Sequence, residues 1–295
     1  MVEKIKKPVS LVLSSGGSKG LAHIGVINEL EKQGFQISSV SGSSIGSVIG
    51  GIYAMGKLPE YTNWVKTLNQ KAIWGLMDFT VSTNGLLKGE KVIEKMRTFI
   101  PDMPIEKMDI QFTAVATDIL NEKEVVFRSG SFYEAIRASL AIPTIITPVK
   151  YKDTILVDGG VLNPVPIEYV TRNDNDILIV VNLYGEKNGE IEKSNLIEDK
   201  NQTSTKLESL LKSISKLISS GDRKSLGYFS LLNASTLAMV HKLAQQNIEI
   251  HQPDILINIP YDSSKTFDFH KAEKLIEIGK NTARRSIKEF KNVKQ

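Results

Sequence analysis

Ile37-Ser38-Ser39-Val40-Ser41-Gly42-Ser43-Ser44-Ile45-Gly46-Ser47-Val48-Ile49-Gly50-Gly51-Ile52-Tyr53 is the stretch on which the reading of this chain turns. A short apolar run leads into a glycine-flanked serine, and a helix-like run follows. Gly42, Ser44 and Gly46 stand in the fixed places of G-x-S-x-G, which forms a nucleophile elbow where a strand turns sharply into a helix. In such a turn the serine backbone is strained and its side chain projects clear of the sheet. The residues two before and two after then crowd each other, and glycine fits both places. A helix starting near Ser44 aims its N-terminal N–H groups and positive dipole end at charge developing beside Oγ. The same pattern also fits a glycine- and serine-rich loop, so its neighbours have to decide.

Upstream, residues 9–13 are apolar and β-branched and end in Ser14-Ser15-Gly16-Gly17-Ser18-Lys19-Gly20. Leu21, Ile24, Ile27 and Leu30 then follow at helical spacing. A strand, a glycine-rich turn and a helix in that order present backbone N–H groups to an anion. Ser15 breaks G-x-G-x-x-G, no acidic residue follows a second strand about 20 residues on, and Gly20 stands where a Walker loop needs Ser or Thr. An oxyanion hole fits better, with the Gly16 and Gly17 amides aimed at a carbonyl oxygen attacked by Ser44. A plain tight turn remains the simpler alternative.

Downstream, residues 59–68 and 90–100 look helical, and residues 74–87 between them look irregular. Trp74, Met77, Phe79, Leu86 and Leu87 there are expected to pack in the core, with an acyl-binding wall as the alternative. Residues 112–117 and 125–128 look like strands, and residues 133–139 like a short helix that Pro143 stops. The strand over 154–157 runs into Asp158-Gly159-Gly160. A carboxylate at a strand's carboxyl end sits where open α/β sheets bind ligands, although an Asp-Gly turn is equally compatible. Residues 176–182 form another strand. The polar stretch 186–202 is expected to be a linker or loop, and residues 207–218 a lysine-flanked apolar helix stripe suited to packing or to a lipid surface. A helix over 226–244, a strand over 255–259 and a long basic helix over 269–293 complete the chain.

The 295 residues suffice for one large α/β domain or two small ones. With 41% hydrophobic and 24% charged residues the composition is that of an ordinary globule. A net charge of +4 without a dense basic block argues against nucleic acid, while leaving room for an anionic lipid surface. With no cysteine, disulfides, thiolate catalysis and Cys-based metal sites are excluded. The short, interrupted apolar run near the N-terminus makes a poor signal peptide, and no segment approaches about 18 uninterrupted apolar residues. The expected location is cytoplasmic, with peripheral membrane contact left open.

Together these segments resemble the bacterial branch of the patatin-like phospholipase family. The glycine-rich loop with Leu21-Ala22-His23-Ile24-Gly25-Val26 is similar to its oxyanion segment, and Gly42-Ser43-Ser44-Ile45-Gly46 to its serine elbow. Arg137-Ala138-Ser139-Leu140-Ala141-Ile142-Pro143 resembles the segment before its acid, and Asp158-Gly159-Gly160, followed by Asn163-Pro164-Val165-Pro166, its Asp-Gly-Gly motif. The resemblance implies a three-layer α/β/α sandwich over residues 5–185, with a C-terminal helical extension over 186–295 that contributes one returning strand. It implies lipid acyl hydrolysis by a Ser44–Asp158 dyad, an oxyanion loop of Gly16, Gly17, Ser18 and Lys19, and motif glycines Gly20, Gly42, Gly46, Gly159 and Gly160. It implies no metal or organic cofactor. The partner is a lipid or acyl-ester substrate.

A carboxylate with an ordinary pKa near 4 is a weaker base than imidazole near 6.5, so the dyad requires desolvation and close contact. A triad would draw on His241, His251 or His270, each expected to be exposed in or beside a surface helix. His23 is expected to pack or to support the loop. A serine protease, a nucleotide-binding module and a catalytically silent protein of the same fold stay open at this level.

Overall fold

The computed structural model describes residues 8–82, 85–187 and 228–293. The 207–218 stripe and most of the 186–202 stretch lie outside the described residues. Five parallel strands form the centre of one sheet: β1 (Pro8–Leu13), β2 (Gln36–Ser43), β5 (Gln111–Asp118), β10 (Ile177–Gly185) and β11 (Ile255–Pro260). The order is β11-β10-β1-β2-β5, continued by β9 (Thr154–Asp158) and then β8 (Val149–Tyr151), with β6 (Lys123–Phe127) also on β5. β6, β9 and β8 run antiparallel to their neighbours. A small separate sheet holds β3 (Phe79–Ser82), β4 (Gly85–Leu87) and β7 (Thr144–Ile146).

The two faces of the sheet are covered differently. Val9, Leu11 and Leu13 of β1, with Ile179, Val181 and Leu183 of β10, face a thick helical layer. That layer contains α1 (Leu21–Lys32), α2 (Ile45–Ala54), α6 (Phe132–Ser139) and α8 (Ala272–Val293). Val12, Leu178 and Val180 point the other way, onto Val165, Ile167, Val170 and Ala244. This second layer is thin, consisting of irregular backbone and α7 (Tyr228–His251). β2 meets it with serines: Ser41 Oγ donates to Pro166 O at 2.7 Å and Ser39 Oγ to Thr171 O at 2.5 Å. Buried hydroxyls on one strand face thus satisfy carbonyls of a segment that has no ladder of its own. The fold is a three-layer α/β/α sandwich carried on into a C-terminal helix.

α3 (Leu58–Lys66), α4 (Gln70–Leu76) and α5 (Glu90–Arg97) flank β3 and β4. The described residues of 74–87 therefore hold a helix end and two short strands rather than an irregular run. The core expectation fails for Trp74, Phe79 and Leu86, which are exposed, holds for Leu87, and is met only in part by Met77, which is half-buried. A sheet of three short strands leaves one face in water, and Trp74 stacks on Phe79 with ring centroids 6.4 Å apart.

β11 extends the same sheet, and α8 lies directly on α1. A Cβ on Gly25 would sit 1.9 Å from Ile276 O, and one on Gly279 2.0 Å from Ala22 O. The helices touch backbone to backbone there, and Arg284 clasps the buried Glu29 carboxylate at 3.0 Å. Among the described residues no helix is long and apolar enough to cross a membrane.

Candidate active site

Ser44 is the single residue between β2 and α2, with φ 53° and ψ −126°. That left-handed φ is costly for a residue with a Cβ and is held by its surroundings. Gly42 and Gly46 make the turn possible in different ways. A Cβ on Gly42 would lie 2.4 Å from the Gly46 backbone, the crowding expected of the motif. One on Gly46 would instead meet Leu13 O of β1 at 2.1 Å, so this glycine lets α2 start against the neighbouring strand.

Strand register sets Asp158 opposite. Ser43 pairs with Val115 and Ala116 pairs with Asp158, so Ser44 and Asp158 flank β5 at one level. Asp158 does not arrive as a parallel-sheet strand end. β9 is antiparallel and enters the site from beyond the carboxyl edge. Gly159 then passes over β5, where a Cβ would strike Val115 O at 2.1 Å.

Ser44 Oγ donates to Asp158 Oδ2 at 2.5 Å, and the Gly160 N–H donates to Oδ1 at 2.7 Å. Ser44 is 3% and Asp158 5% exposed. Burial pushes the Asp158 carboxyl up to about 7, against the opposing pull of its bonds from Ser44 and Gly160. Asp158 thus titrates where a histidine ordinarily does.

The Ser14–Gly20 loop leaves β1 beside this pair. A Cβ on Gly160 would touch Ser15 Oγ at 2.7 Å, and one on Gly20 would touch Ile45 at 2.3 Å. The Ser15 N–H donates to Pro164 O and the Ser18 N–H to Thr266 O, each at 2.9 Å. The Ser18 hydroxyl also turns away, to Lys265 O at 2.7 Å. Both Ser18 donors therefore face the loop after β11. Among the described residues, the Gly16 and Gly17 N–H groups have no acceptor. Lys19 is buried, its ammonium 5.3 Å from the Tyr184 ring and 5.8 Å from that of Tyr261. Desolvation lowers it to about 8, with Asp262 opposing.

His23 is fully buried in α1 and donates from Nε2 to Ser14 O at 3.0 Å. Burial holds it down near 4, so it stays neutral and anchors the base of the loop. His241 corrects the expectation of an exposed side chain. It is half-buried between Tyr184 and Tyr261, with ring centroids 4.8 and 5.1 Å away. His251 faces Glu168 at 4.0 Å. Among the described residues no histidine hydrogen-bonds to Ser44 or Asp158.

Two partners escaped the sequence reading. Ser139 Oγ accepts the Ser44 N–H at 2.9 Å and donates to Val115 O at 2.6 Å. Two residues on, Ala141 O accepts the Asp158 N–H at 2.9 Å. The Arg137–Pro143 segment therefore braces both members of the pair. The resemblance of this segment to the one before the family's acid pointed to the place, but not to the roles of Ser139 and Ala141. Tyr184, at the end of β10, holds Ser15 Oγ at 2.5 Å. It carries no motif.

The model of the patatin-like phospholipases matches residues 11–171, which hold every residue of this pair and loop. The chain belongs to the patatin-like phospholipase family. An uncharacterized NTE family protein of Mycobacterium tuberculosis is 30% identical, across 96% of this chain and 92% of that one. The lysophospholipase NTE1 of Meyerozyma guilliermondii is 29% identical over 59% of this chain and 12% of its own length. Among solved structures, VipD from Legionella pneumophila aligns over 97% of this chain and 67% of that one, with 13% identity and a TM-score of 0.46. Membership of the patatin-like phospholipases makes the protein a lipid acyl hydrolase.

Proposed function

We propose that this patatin-like phospholipase cleaves fatty-acyl esters of phospholipids and lysophospholipids through Ser44 as nucleophile and Asp158 as its only proton acceptor. The observation that carries the reading is the Ser44 Oγ–Asp158 Oδ2 hydrogen bond, made to a carboxyl group that burial has raised to about 7. A carboxylate in that range is basic enough to take the serine proton as Oγ attacks the ester carbonyl. The carbonyl oxygen becomes an oxyanion, and the Gly16 and Gly17 N–H groups are its donors in this reading, with the Lys19 charge behind them. Ser18 is left out of the donor set because its N–H and hydroxyl are engaged elsewhere. Asp158 then gives its proton to the departing alcohol as the ester C–O bond breaks, leaving an acyl-Ser44 ester. Water attacks that ester with Asp158 again taking the proton, and fatty acid leaves as Ser44 is restored. The named substrate of the Meyerozyma relative supports including lysophospholipids.

A fluorophosphonate probe with peptide mapping tests the assignment. Label is expected on Ser44 alone among Ser41, Ser43, Ser44 and Ser47, with hydrolysis of acyl esters and no cleavage of casein. Labelling of Ser43, or active protein that takes no label, would contradict it.

A further inference from the structure

The large exposed apolar side chains of this molecule are not scattered. Among the described residues, and apart from Ile250, they lie on three segments, each joined to backbone at the carboxyl edge of the sheet. The first segment is the tip between β5 and β6, where Leu120 is 60% exposed beside exposed Ile119. β5 runs on past Ala116, the residue level with Asp158, so this tip stands roughly 10–13 Å beyond the reacting pair. The second is the Trp74–Phe79 stack with Leu86, on α4, β3 and β4. Its sheet partner β7 begins three residues after Ala141, whose carbonyl holds Asp158.

The third segment is the amino-terminal half of α7. His241 packs against Tyr184 and Tyr261, at the carboxyl ends of β10 and β11, and Asn247 Nδ2 bonds to Asn163 Oδ1 at 3.0 Å. The helix is thus fixed to the core by its second half. At 1.5 Å per residue, Leu231 lies about 15 Å further out along the axis than His241. Residues 228–240 contain no charged side chain, and Met239 there is 59% exposed.

We propose that these three segments together form a docking face for a lipid surface, which presents aggregated acyl-ester substrate to the buried Ser44. The inference rests on the acyl-hydrolase reading and adds how its substrate is reached. Exposed apolar side chains gathered in clusters, rather than scattered singly, point to an interaction surface. A lipid surface suits this one for three reasons. The apolar groups come as separate protrusions on three segments rather than as one continuous groove. An exposed tryptophan stacked on a phenylalanine, with Lys71 and Lys88 exposed nearby, matches the aromatic and lysine pattern of membrane interfaces. The helix half that projects carries apolar and small polar groups only, as shallow insertion between headgroups requires. Glu122 shares the hairpin tip with Lys123, so apolar contact rather than charge supplies most of the attachment.

The test uses the full chain with Trp64→Phe, which leaves Trp74 as the sole tryptophan. Phosphatidylcholine vesicles with and without brominated acyl chains are the probe, alongside a short water-soluble acyl ester. Bromine should quench Trp74 emission by half or more. Protein should pellet with the vesicles at both low and high salt. Leu120→Asp and Met239→Asp should each lower the bound fraction by about tenfold while keeping soluble-ester hydrolysis within about twofold. Absence of quenching, or full vesicle binding by both variants, overturns the docking face. So does a dimer without lipid that Met239→Asp dissociates, because the face would then join two copies of the chain. If the parent protein binds vesicles but never hydrolyses the soluble ester, the acyl-hydrolase reading fails instead.

Discussion

A carboxyl group that accepts the Ser44 proton has to be ionised beforehand, and the burial of Asp158 works against that. Desolvation raises the group to about 7, so kcat/KM on a soluble ester should fall about tenfold per pH unit below that value and level off above it. A rate profile flat from pH 5 to pH 8 would contradict the assignment. Stability should move in the opposite sense. The folded pKa lies above the unfolded value of about 3.9, so the folded state holds a proton that the unfolded chain has released. This stabilising contribution is complete below about pH 4 and is lost as pH rises through about 7. At full ionisation the buried charge costs on the order of 4 kcal/mol. Urea unfolding at pH 5 and pH 8 should therefore show Asp158→Asn gaining stability relative to the parent at the higher pH. The proposed site residues legible from sequence, Ser44, Asp158 and their glycines, are those whose local turn demands a particular residue type. Ser139, Tyr184 and His241 were not legible as partners because their roles arise from contacts between distant segments.

At the scale of elements, α1 and α8 show how a small residue sets a distance. Gly25 and Gly279 let the two backbones meet, and Gly279→Ala would place a methyl group against Ala22 O with no flexible neighbour to yield. The expected cost is about 1–3 kcal/mol in urea unfolding, and an unchanged midpoint would show that the helices are not held this closely. The central strands and α1 and α2 were legible because apolar runs of strand length alternate with helical spacing. The strand following the polar stretch was legible for the same reason. β3, β4 and β7 were not, since three or four residues with one wet face give no periodic signal. The antiparallel direction of β9 was hidden too, because direction depends on pairing with β5. The serine face of β2 looked like loop composition until its partner, an irregular segment rich in open carbonyls, was in place.

Over the whole molecule, the site draws on segments far apart in the chain: the loop after β1, the β2–α2 elbow, the end of α6, β9, β10 and the loop after β11. We therefore propose that the returning strand and last helix fold with the catalytic core as one unit, which a single unfolding transition for Gly279→Ala and parent alike would bear out. Acyl hydrolysis by an acid without a histidine remains the account's central claim. Its most direct test is kcat on one soluble ester for folded Asp158→Asn and His241→Gln, with Ser44→Ala as the inactive reference. The account predicts a fall of on the order of 10³-fold or more for Asp158→Asn, as loss of a catalytic group produces. It predicts less than about tenfold, or 1.4 kcal/mol of barrier, for His241→Gln. A folded His241→Gln protein as inactive as Ser44→Ala would contradict it.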